Sequence, residues 1–184
     1  MLEIFFSREK TIEIDGIELN IVDNGDYRGI LTMLVSLYQY PKRQQTLIAV
    51  SKFYEIPIKQ LVSEHKNRLN ELINSMEFFL SYTQSHAPKG NTTKTVETNW
   101  ETDMPYIISA ILKTHKIDIV QMEYLHWWKF LSYLNEIDGD TTLAYINNIR
   151  NKRVRGGKEN ELSKSEKDFI KSKPNLFKPR KNII

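Results

Sequence analysis

Apolar and polar positions alternate through residues 12–21, IEIDGIELNI, on either side of Asp15-Gly16. A period of two marks half-buried strands, and Asp-Gly between them supplies the positive φ of a two-residue hairpin turn. A lone hairpin is marginal in water, so helices are expected to cover it. After the candidate caps Asp23 and Asp26 the period lengthens. Tyr27, Ile30, Leu31, Leu34, Leu37 and Tyr38 recur at helical spacing before Pro41. A second helix is predicted from Pro41 to about Tyr54, with a break at Pro57. A third, long helix is predicted from Ile58 to Tyr82. Its stripe is Leu61, Leu69, Leu72, Ile73, Met76, Phe79 and Leu80.

Residues 84–99 hold almost no apolar side chains and several turn formers, which predicts an exposed connector. Beyond it Asp103 can cap a helix whose first turn would hold Pro105. Ile107, Ile108, Ala110, Ile111 and Leu112 cover most of its circumference, so it is expected to be central. Asp118 and Gln121 have the spacing of a capping box, predicting a helix from there to Asp138-Gly139. Asp140 or Thr141 then starts a last core helix through Leu143, Ile146 and Ile149. Gly156-Gly157 interrupts the pattern, and a short helix from Ser163 follows. The prediction is a mainly α fold with an N-terminal β-hairpin, a single-domain helical bundle over residues 1–150. Residues 151–184 are expected to form a basic flexible tail.

Two of the three tryptophans adjoin in Tyr124–Leu131, YLHWWKFL. On a helix begun at Ile119 and advanced by 100° per residue, Trp127 falls among Val120, Tyr124, Phe130, Leu131 and Leu134. That arc is core. Trp128 falls near 180° and Leu125 near 240°, beside polar side chains. Two readings follow for Trp128. A second layer of the same domain covers it, or Trp128, Leu125, Lys129, Gln121 and Ser132 form a partner-binding surface, an aromatic anchor ringed by polar groups.

Composition narrows the function classes. The chain has 184 residues, 40% hydrophobic and 27% charged, enough for one well-filled domain. It has no cysteine, which excludes disulfides and thiolate metal sites. Its opening, MLEIFFSREK, lacks the pattern of a secretory signal, and no apolar run approaches the ~20 residues of a membrane span. The four histidines are scattered, and neither a phosphate-cradling glycine loop nor G-x-S-x-G is present. Asp138 and Asp140 flank a turn glycine, which turn chemistry explains. No catalytic, cofactor-binding or metal-binding residue is expected, and no cofactor.

Charge is unevenly placed. Residues 1–150 carry 15 Lys/Arg against 19 Asp/Glu, and residues 151–184 carry 11 against 4. The run Arg150-Asn151-Lys152-Arg153-Val154-Arg155 could neutralise several phosphates, giving a nucleic-acid-binding regulator as the rival reading. Against it, the second helix of the pair over residues 104–135 begins IVQMEYLHWW, where a recognition helix presents polar and basic side chains.

Several blocks in order carry a resemblance: EIDG in the hairpin, NGDYR, ETDMPYIISAIL, KIDI, EYLHWWKF and INNIR. Over about residues 12–152 the chain resembles the small tail-operon proteins of long-tailed phages of Gram-positive bacteria, regarded as tail assembly chaperones. LHWWKF is the most specific block. Asp26-Tyr27 stands where that family usually has an aspartate-phenylalanine pair. The resemblance implies a non-enzymatic protein acting in the bacterial host cytoplasm and absent from the mature virion. It would bind the long tape-measure protein, together with tail-tube subunits, and could form homo-oligomers. Nucleic acid and membrane are not among the partners it implies. A structural tail or connector component of the virion is the other rival.

Overall fold

The computed structural model describes residues 10–14, 16–81, 98–156 and 162–178. Strands β1 (Thr11–Ile14) and β2 (Ile17–Asn20) pair antiparallel with Ile14 opposite Ile17. Gly16 takes φ +74°, as the two-residue turn demands, while Asp15 lies outside the described residues. The helices that follow are α1 (Tyr27–Ser36), α2 (Lys42–Phe53), α3 (Ile58–Glu64), α4 (Leu69–Ser81), α5 (Trp100–His115), α6 (Trp127–Asn135), α7 (Thr142–Gly156) and α8 (Lys164–Ser172). The class is the predicted one, mainly α with an N-terminal antiparallel hairpin. The predicted connector, apart from Thr98 and Asn99, lies outside the described residues. Two compact units interleave along the chain. The first holds the described residues up to Ser81 together with Tyr124–Leu131, and the second holds the rest.

In the first unit, Asp23, Asn24 and Gly25 are three successive residues with φ near +50° to +77°. This left-handed turn folds back onto α1. A Cβ built on Gly29 would lie 2.3 Å from the Cβ of Asp23, so a side chain there forces the turn to move. Tyr27, Ile30, Leu31 and Leu37 are buried, as their spacing predicts. The long helix predicted over 58–82 is instead two. His65 leaves the helical region (φ −112°, ψ 10°), and a short 3-10 turn, Lys66–Arg68, precedes α4. No apolar residue stands between Val62 and Leu69 to hold a continuous helix to the core. Leu61 on α3 and Leu72, Met76 and Phe79 on α4 are buried. The hairpin is less covered than expected, with Ile17 39% exposed.

In the second unit, Asn99 caps α5 by accepting from the Thr102 N–H, so the cap lies at Asn99 and not at the predicted Asp103. Pro105 therefore lies inside the helix, past the first turn that suits it. Ile107, Ala110 and Ile111 are buried, but Leu112 is exposed. The predicted helix start at Asp118 is a correction. The Asp118 carboxylate accepts from Val120 N–H at 3.0 Å, closing a local turn, and the chain stays non-helical until Trp127. Thr141 caps α7 through the Ala144 N–H (3.2 Å), with Leu143, Ile146 and Ile149 buried as predicted.

The segment read as a flexible tail is folded where it is described. Ser163 and Glu166 form a reciprocal capping box at the start of α8, and the 3-10 turn Pro174–Phe177 follows. Leu162, Leu176 and Phe177 are buried with Ile146 and Ile149, and Phe169 and Ile170 pack on the same cluster. Lys164, Lys167 and Lys171 take the exposed side of α8. The lysines set the composition and hide the sparse apolar face.

Candidate interaction site

The tandem tryptophans have a joint task in the first unit. Trp127 donates its indole N–H to the Leu80 carbonyl (3.2 Å), and Trp128 donates its own to the Phe79 carbonyl (2.9 Å). Both acceptors lie in the last turn of α4, where carbonyls have no donor within the helix. Phe79 packs against Trp128 (centroids 5.0 Å) and Phe53 (5.4 Å), while Trp127 stacks on Phe130 and Phe130 on Tyr27. His126 precedes α6, its Nδ1 accepting from the Trp128 N–H at 3.3 Å. It thus acts as a capping acceptor.

Asp26 ties the same stretch to the start of α1. One carboxylate oxygen accepts from the Arg28 backbone N–H (2.9 Å), the other from the Leu125 N–H (2.9 Å), and the Arg28 guanidinium spans both. Tyr27 N–H donates to Leu125 O, and Tyr124 Oη donates to Asn24 O. Burial alone would raise the Asp26 carboxyl. The Arg28 side chain and the two backbone donors outweigh it and hold the group below the usual carboxylate value. Hence the blocks NGDYR and EYLHWWKF are partners in space.

A second pair of blocks meets in the second unit. Arg150, from INNIR, forks onto Asp103, from ETDMP, with Nη1–Oδ2 at 2.7 Å and Nη2–Oδ1 at 2.8 Å. Asp103 also accepts from Asn99 N–H and the Thr102 hydroxyl. The Arg150 Nε and Nη2 groups further donate to the Leu176 carbonyl, at 3.1 and 2.7 Å. Arg153 donates to Phe177 O, and Lys152 pairs with Glu166 at 2.6 Å. Three cations of the run that suggested phosphate binding are thus engaged within the fold.

The predicted partner-binding residues are not brought together as one exposed patch. Trp128 and Leu125 are buried, at 9% and 4% exposure, Trp128 against Phe79 of the same unit. The helical wheel misplaced Leu125 and Gln121 because α6 begins at Trp127. Gln121 and Lys129 are exposed and Ser132 is half-buried. The large apolar side chains that do face solvent lie elsewhere, including Ile58 and Val62, one turn apart on α3. The sequence did carry that signal, since both fall outside the stripe that begins at Leu61. Among the described residues no cluster of His, Asp and Glu could hold a metal ion, and no helix is long and apolar enough to cross a membrane.

The family described as bacteriophage Gp15 protein matches residues 9–178. That span runs through α8 and the 3-10 turn after it, beyond the 12–152 covered by the resemblance of the motif blocks. No curated protein and no solved structure matches the chain. The match covers nearly the whole chain and every packed element described above, and the chain belongs to the bacteriophage Gp15 protein family.

Proposed function

We propose that this phage protein is a tail assembly chaperone. In the bacterial host cytoplasm it holds the tape-measure protein soluble, helps tube subunits assemble around it, and leaves before the virion is complete. The observation that carries this reading is the ordered set of motif blocks, which the resemblance ties to tail assembly, within a chain of a phage family. The physics is compatible with the role. A long chain of amphipathic helices exposes apolar surface that aggregates, and helix-in-groove contacts by a helical protein can cover it. Release calls for modest affinity at each contact, so many copies along one chain act by avidity.

Co-expression with the tape-measure protein from the same phage tests the reading. The expected result is a soluble, co-purifying complex where the tape-measure protein alone is insoluble. Unchanged solubility and no co-purification would overturn it. Mass spectrometry of purified particles should find the tape-measure protein without this chain. Finding the chain at stoichiometric level would make it a virion component instead.

A further inference from the structure

Residues 162–178 are a folded piece packed on a surface of the second unit, to whose buried cluster they contribute Leu162, Leu176 and Phe177. The other side of that contact is the cradle. Asp103, held by Asn99 and Thr102, fixes the Arg150 guanidinium between α5 and α7, and this pair needs nothing from the segment. Around it Tyr106, Tyr145, Ile146 and Ile149 form an apolar face. The segment brings its own local structure, with the Ser163–Glu166 capping box at one end of α8 and Pro174 opening the 3-10 turn at the other. Local backbone-to-backbone hydrogen bonds run from Lys167 N–H to the Ser163 carbonyl and from Lys173 N–H to the Phe169 carbonyl.

Beside the Lys152–Glu166 ion pair, the contacts between segment and cradle are of two general kinds. Apolar side chains meet the face, as where Phe169 meets Tyr145 edge-on at 5.2 Å and Lys173 lies over the Tyr106 ring. Arginine donors hold main-chain carbonyls, Arg150 that of Leu176 and Arg153 that of Phe177. Every chain has carbonyls, so this part of the recognition does not read side-chain identity. What sits in the cradle is a short amphipathic helix followed by a turn that presents an apolar pair and two carbonyls. Helix-in-groove recognition uses the same kinds of contact.

We infer that the face of α5 and α7 around Arg150 is a helix-docking site which this chain occupies with its own residues 162–178, and that an amphipathic partner helix displaces them. Naming that helix as a tape-measure segment rests on the chaperone reading, whereas the docking site itself does not. A competing internal segment lowers the apparent affinity for a partner by the fraction of molecules in which the site is open.

The probe is a fluorescein-labelled synthetic peptide of residues 162–178, titrated by polarisation into the full chain and into the full-chain variant Leu176→Ala/Phe177→Ala. The variant, its own segment weakened, should bind the peptide at least about tenfold more tightly than the unmodified chain does. Equal affinities, or no binding to either, would overturn the inference. Should the double variant lose cooperative unfolding, hydrogen exchange on the unmodified chain decides. Amides of α8 should exchange at least about tenfold faster than those of Ile146 and Ile149 in α7. Exchange in step would make the segment an inseparable part of the core and end the proposal. The assay contains no phage partner, so failure of the chaperone reading would leave its outcome unchanged.

Discussion

Trp128 donates its indole N–H to the carbonyl of Phe79 across 49 positions of sequence, while its neighbour Trp127 does the same for Leu80. Adjacent residues on one helix thereby satisfy adjacent carbonyls at the end of another. Phenylalanine at either position would keep much of the packing and lose the donor.

That separation of terms gives the first prediction. Trp127→Ala and Trp128→Ala should each cost ~3–5 kcal/mol, since both side chains are buried. Trp127→Phe and Trp128→Phe should each cost ~1–3 kcal/mol, mainly for a buried carbonyl left without its donor. Urea denaturation of the four variants checks both figures. Trp128→Ala within ~0.5 kcal/mol of the unmodified chain would mean the indole is not packed as described.

The Asp103–Arg150 pair should be among the most sensitive sites. Arg150→Ala leaves a buried carboxylate without its cation, which costs ~3–5 kcal/mol. Arg150→Lys keeps the charge but not the fork, and also loses the donors to Leu176 O, so it should rescue only part of that. Thermal melts of the two variants beside the unmodified chain test the order.

Acid should weaken the first unit through Asp26. Its carboxyl is held below the ordinary value of about 3.8, so the native state binds the proton less readily than the unfolded chain does. The resulting stability is fully present above that ordinary value and is lost as pH falls through the lower, folded one. Glu166, whose carboxyl is lowered by Lys152 and by the Ser163 N–H, adds a contribution of the same sign. Melting temperature recorded from pH 6 to pH 2 should drop, and Asp26→Asn should make the drop shallower. An unchanged slope would remove Asp26 from the account.

Deleting residues 157–184 should lower stability, against the expectation of a basic flexible tail. Leu162, Leu176 and Phe177 would be lost from the cluster, at roughly 1.5–3 kcal/mol for each buried apolar side chain as an upper figure. A truncated chain that melts with the full-length one would contradict this packing.

Much of the fold was legible because periodicity reports burial directly. Tyr27, Ile30 and Leu31 on α1, and Leu143, Ile146 and Ile149 on α7, lie on the faces their spacing assigns. Two readings failed for different reasons. Asp118 and Gln121 have capping-box spacing, but an aspartate can equally close a turn on its own backbone, and sequence alone does not decide between them. The segment 162–178 failed because charge dominated its composition, although Phe169 and Ile170 stood opposite Lys164, Lys167 and Lys171 throughout. The site was less legible still. Leu125 was read as part of a partner-binding surface and Arg150 as part of a phosphate-binding run, yet Leu125 holds Asp26 and Arg150 holds Asp103 within the fold. Their partners lie 99 and 47 positions away, which no local pattern displays.

The first unit also has a timetable. Its pieces before Ser81 need Tyr124–Leu131, whose tryptophans close α4 and whose Leu125 receives Tyr27. A ribosome adding about 5–20 residues per second takes ~2–9 s to travel between those two stretches. Throughout that interval the nascent chain carries α4 with Phe79 and Leu80 uncapped. A protein read here as guarding another chain from aggregation must first pass through a wait of its own.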